Sequence, residues 1–104
     1  MLRQDVFPSR FFKAGDLPEP QNLRIMTAQM ETLRSPQGLT ERKLVLTFDD
    51  HPKCLAVNRT NFDVVSQLHG SNTDNWIGKT VQLFATKTFV RGQEVDCVRV
   101  RAAG

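Results

Sequence analysis

Lys87, Phe89 and Arg91 set a cation, an aromatic ring and a second cation at alternate positions. Single-stranded nucleic acid asks for that mixture, because cations meet its phosphates and flat side chains carry its bases. Nearby, Arg99 and Arg101 alternate with Val98 and Val100, and Lys43 and Lys53 flank an earlier pair of apolar stretches. Lys43, Lys53, Lys87, Phe89, Arg91, Arg99 and Arg101 therefore form a candidate nucleic-acid-binding set. Phe84, on the polar side of an alternating stretch, is a further ring able to stack. A plainer reading competes at each position. Phe89 can close the end of a core, and an arginine alternating with valine is what any half-buried strand shows. Cations on an edge strand also discourage edge pairing.

The charge distribution favours the same end of the chain. The 104 residues carry a net charge of +3, with a pI near 9.2. Residues 1–75 hold nine Lys and Arg against nine Asp and Glu, so the excess lies in the last 29 residues. There Lys79, Lys87, Arg91, Arg99 and Arg101 face only Glu94 and Asp96. An excess this small predicts modest affinity for an anionic partner and strong sensitivity to salt. The absence of tyrosine limits the number of stacking platforms.

Other chemistry is poorly provided for. No nucleophile sits in a recognisable elbow, and there is no phosphate loop. Asp49-Asp50-His51 with Cys54 is the only cluster with metal-like spacing. A closed zinc site needs four ligands, and Cys97 could join only if its strand passed alongside. Asp49 and Asp50 as an acid–base pair would need a pocket, whereas a tight turn exposes them. His69 falls in the last turn of a helix, where it suits the dipole. The expectation is a protein that is not an enzyme and has no metal and no cofactor. Two cysteines are too few for a disulfide scaffold. No apolar run is long enough to span a membrane, and Met1 to Asp5 lead into no signal-peptide core. A cytoplasmic location is expected.

The elements that must position these residues follow from periodicity. Residues 1–22 read as an irregular arm, broken by Pro8, Gly15, Pro18 and Pro20, with Phe7, Phe11, Phe12 and Leu17 as apolar anchors. A first strand runs over Leu23–Leu33. Leu23 and Ile25 share one phase and Met26, Ala28 and Met30 the other, which implies a bulge or sharp bend. Ser35 to Arg42 forms a loop. Strands follow over Lys43–Asp49 and Lys53–Asn58. Thr60, with Asp63 three residues on, is the expected start of a helix that Gly70 ends. Trp76-Ile77-Gly78-Lys79 leads into a fourth strand over Thr80–Thr88, with Val81, Leu83 and Ala85 inward. Trp76 is expected to cap the core and Lys79 to be exposed. A turn over Phe89–Gln93 precedes the last strand, Glu94–Arg101.

Three strands, a helix and two strands predict a mainly β fold. The expected form is a small five-stranded OB-like barrel over residues 23–101, with one helix between strands 3 and 4. An open sheet covered by one helix is the alternative. In such a barrel the loops Ser35–Arg42 and Lys87–Gln93 border the binding face.

Asn58-Arg59-Thr60-Asn61, Thr73-Asp74-Asn75-Trp76-Ile77-Gly78-Lys79 and Val98-Arg99-Val100-Arg101 occur in order, with Leu68, Gly70, Val81, Leu83 and Gly92 between them. Over residues 42–101 this pattern resembles a family of small proteins carried by bacteriophages and prophages, with a looser likeness at Phe12 to Leu17. The resemblance implies a phage-derived OB-like domain that handles single-stranded DNA, and it brings no catalytic residues. The expected partner is single-stranded DNA, with RNA not distinguished. The rival is a protein-interaction adaptor or host-factor-binding module using the Phe-rich arm as its contact, because such barrels host many functions.

Overall fold

The computed structural model describes residues 10–34 and 38–104. Phe7, Pro8 and part of the Ser35–Arg42 loop lie outside the described residues. In the first strand, β1 (Gln21–Arg34), Leu23 and Ile25 of the first phase are buried, whereas of the expected second phase only Ala28 packs inward and Met30 is about half exposed. Leu23 and Ile25 lie in the core and Ala28 packs against it, although Ala28 is an odd step of three positions beyond Ile25. Pairing slips between Ile25 and Thr27, so Met26 is the extra residue of a bulge. One inserted residue returns the later side chains to the inner face. Met26 itself is about half exposed.

The bulge also changes the partner of β1. Gln21–Arg24 pair with β4 (Thr80–Val90), whereas Ile25–Arg34 pair with β2 (Thr40–Phe48). At the joint Ile25 N–H donates to the Lys79 carbonyl at 2.9 Å, and Gly78 N–H donates to the Ile25 carbonyl at 2.8 Å. Gly78 has φ of 83°, a conformation that side chains resist, so the turn into β4 needs a glycine.

With β3 (His51–Val57) and β5 (Gln93–Ala102), the strands form one antiparallel sheet in the order β3-β2-β1-β4-β5. The expected closed barrel requires the two outer strands, β3 and β5, to pair, and they do not. The sheet is therefore open along that seam. Two segments cover it. The helix α1 (Arg59–His69) packs on β5, and Asn61 Nδ2 donates to the Val98 carbonyl at 3.1 Å. The arm enters as a short parallel addition to β3, with Phe12 N–H donating to the Cys54 carbonyl at 2.8 Å and Cys54 N–H to the Arg10 carbonyl at 2.7 Å. Phe12 and Leu17 are buried in the same core as the strands. Arg10 holds Glu31 through both terminal guanidinium nitrogens, at 2.9 and 3.0 Å.

Trp76 closes one end of that core. It is fully buried, its ring lies 5.2 Å from that of Phe62, and its Nε1 donates to the Gly70 carbonyl at 2.7 Å. One side chain thus ties the end of α1 to the turn that starts β4. Among the described residues no helix is long and apolar enough to cross a membrane.

The helix starts earlier than expected. Asn58, not Thr60, is the cap: its Oδ1 accepts from Asn61 N–H at 2.9 Å, and Thr60 lies in the first turn. Cap removal costs about 1 kcal/mol. Asn58→Ala should therefore destabilise the fold by about 1 kcal/mol in chemical denaturation, and Thr60→Ala should leave the midpoint nearly unchanged.

Candidate nucleic-acid interface

The β4–β5 hairpin carries most of the candidate residues, and its turn decides where they point. The turn holds two residues, Arg91 and Gly92, rather than the expected span Phe89–Gln93. Their φ angles are 53° and 77°. Two successive positive values define the mirror-image turn whose twist matches a hairpin. Phe89 and Val90 become the end of β4, and Gln93 opens β5.

This register places Lys87 opposite Asp96 and Phe89 opposite Glu94. Lys87 Nζ lies 2.9 Å from Asp96 and 3.5 Å from Glu94. The hydrogen bond to Asp96, with the charges beside it, raises the pKa of the Lys87 ammonium. Lys87 and Arg91 are matched in number by Glu94 and Asp96, so the hairpin tip has no net charge. Phe89 is 72% exposed on the same side as Lys87. Ala85, expected inward, is also exposed, because the core ends at Leu83.

The opposite face of the hairpin is different. Gln82, Phe84 and Thr86 of β4 stand opposite Arg101, Arg99 and Cys97 of β5. The guanidinium carbon of Arg101 lies 4.2 Å from the centre of the Phe84 ring, and its Nε donates to Gln82 Oε1. Arg99 faces Phe84 directly across the strands. Neither Arg99 nor Arg101 has an ion pair among the described residues. Asn22 of β1 extends this face, accepting from Gln82 Nε2 at 3.2 Å.

The remaining candidates lie elsewhere. Lys43 pairs in register with Glu31 and has Glu41 4.0 Å away, on the half of the sheet built from β1, β2 and β3. Lys53 holds Asp16 at 3.2 Å. Asp16 also accepts from the Lys13 N–H at 2.8 Å; that bond first, and the lysine second, keep its carboxyl below the ordinary aspartate range. Lys53 thus helps to fix the arm. Of the seven candidates, the structure brings together Arg99 and Arg101, beside Phe84. It leaves Lys87 and Phe89 on the other face, Arg91 at the tip, and Lys43 and Lys53 on the far half of the sheet.

The acidic turn is occupied by structural bonds. Asp49 pairs with Arg24 at 2.5 Å, Asp50 Oδ1 accepts from Arg24 N–H at 3.1 Å, and His51 Nδ1 accepts from Lys53 N–H at 3.0 Å. Cys54 is buried under the arm. Among the described residues no group of three or more His, Cys, Asp and Glu is placed to hold a metal ion.

No protein-family model, curated protein or solved structure matches the chain.

Arg91 is the one residue other than glycine with positive φ among the described residues, and asparagine tolerates that conformation better than arginine. Arg91→Asn should raise the unfolding free energy by roughly 0.5–1 kcal/mol, read from the denaturant midpoint. A lower midpoint would show that the arginine side chain itself holds the turn.

Proposed function

We propose that the outer face of β4 and β5 binds single-stranded nucleic acid, DNA in a phage or prophage setting, with no reaction catalysed. One observation carries this reading: Phe84 lies under one arginine and opposite another, and no acid is ion-paired to either among the described residues. Bases stack on aromatic rings and on guanidinium planes, and the same guanidinium groups neutralise phosphates. An incoming base can stack on Arg101 where it lies, or displace it from the ring. Arg91 at the tip extends the cationic track. Lys87 contributes less, because Asp96 and Glu94 already meet its charge.

The fold is read here as an OB-like barrel left open between β3 and β5. The bulge at Met26 is its corner, and α1, between β3 and β4, covers the open side. Such a domain would work in the cytoplasm.

The rival reading, a protein adaptor, has its own support at the hairpin tip. Phe89 is 72% exposed on the Lys87 face, and Val90 and Val95, 52% and 37% exposed, lie on the opposite face with Phe84 and Arg99.

Fluorescence anisotropy of labelled oligo-dT at low and moderate salt separates the two. Phe84→Ala should weaken binding by roughly 5- to 100-fold, the worth of one stack. Arg99→Ala should flatten the salt dependence by about 0.7 in the logarithmic slope. Phe89→Ala and Lys87→Ala should have little effect. Absent binding at low salt, or loss confined to Phe89→Ala, would favour the adaptor.

A further inference from the structure

The open seam between β3 and β5 forms a solvent-open cavity of about 300 Å³. Phe11 and Phe12 of the arm, Ala56 of β3, Asn61 of α1, and Cys97 and Val98 of β5 contribute to its wall. The volume is at the small end of ligand pockets, enough for one heterocycle and too little for a length of chain.

Lys13, Asn58, Asn61 and Asp96 are the polar residues of this wall, and Asn61 is the buried one. It is 2% exposed, and it is the only fully buried polar residue among those described. Its amide has one orientation, because the Val98 carbonyl can only accept and so takes Nδ2, at 3.1 Å. That leaves Oδ1, which has no partner. Buried acceptors in folded proteins are almost always satisfied, and an orphan is costly. What this atom lacks is a donor. A phosphate or a carboxylate brings none; a heterocyclic amine does.

The cavity also borders the proposed interface. From β5 it is lined by Asp96 and Val98 of the Lys87 face and by Cys97 of the outer face, two residues from Arg99 and opposite Thr86. A strand held by Arg101 and Arg99 is therefore led to the seam. We infer that the seam takes one unstacked base bearing an exocyclic amine, cytosine, adenine or guanine, whose amine donates to Asn61 Oδ1 beside the Phe11 and Phe12 wall. This rests on the single-strand reading for the source of the base, and it adds a preference that stacking on Phe84 alone does not give. Cytosine carries its amine at N4, adenine at N6 and guanine at N2.

Free nucleosides test the pocket without phosphates. Amide NMR spectra of the full chain are recorded with cytidine and, separately, with N4,N4-dimethylcytidine, which keeps the ring and loses the donor. Cytidine should shift the Asn61 side-chain amide and the Cys97 and Val98 main-chain amides. The dimethyl analogue should bind about tenfold more weakly, the worth of one hydrogen bond. Equal affinity for the two, or no shift at these groups with millimolar cytidine, overturns the pocket, the latter meaning that water alone satisfies Asn61. A parallel oligo-dT titration keeps the two proposals apart. Oligo-dT binding without a cytidine response sinks the pocket alone. A cytidine response without oligonucleotide binding overturns the claim that the base arrives on a strand.

Discussion

A strand in the middle of a sheet has two edges, and β1 spends them on different stretches of its length. Its first four residues serve β4 and the rest serve β2. That arrangement holds only if the strand bends between them without turning its apolar side chains outward. The extra residue at Met26 does both. Leu23, Ile25 and Ala28 all reach the core, and the sheet folds around them. The same bend brings β3 and β5 near enough for α1 and the arm to bridge them, through Asn61 on one side and Phe12 on the other. Trp76 then fixes the handover from α1 to β4. The open seam, its covering and the position of the hairpin all depend on that bulge.

The hairpin shows how one turn redistributes charge. A two-residue turn pairs each position of β4 with one position of β5, and side chains directly opposite share a face. Lys87 therefore meets Asp96, while Phe84 meets Arg99. A sequence with one cationic excess at its end becomes a structure with two unlike faces. One is neutralised and partly apolar, and the other carries arginines around an aromatic ring. The cavity at the seam is lined from β5 by Asp96, Cys97 and Val98, residues of both faces.

Much of this was legible in the residues. The change of phase in β1 announced the bulge because side-chain alternation in a strand is strict. Trp76 and Gly78 read as architecture, and they are. The cap was misread because Asn58 and Thr60 both suit that role, and Thr60 with Asp63 imitates a capping box; only the bond from Asn61 N–H to Asn58 decides it. The hairpin was misread because glycine marks a turn without giving its length. Arginine, a residue that resists positive φ, hid the two-residue form. With the longer turn, Glu94 and Asp96 had no assigned partners, and Phe89 rather than Phe84 looked like the natural platform. Closure of the sheet was beyond the sequence, since strand periodicity says which face is buried and not which edges meet.

The central claim is that the face carrying Phe84, Arg99 and Arg101 is where a single strand lies. Ultraviolet cross-linking of oligo-dT to the protein, followed by tryptic digestion, tests it directly, because cleavage after Lys79, Lys87 and Arg91 separates Phe84 from Phe89. The account predicts cross-links in the peptides Thr80–Lys87 and Gly92–Arg99. Cross-links confined to Thr88–Arg91, or to peptides from β2 and β3, would contradict it.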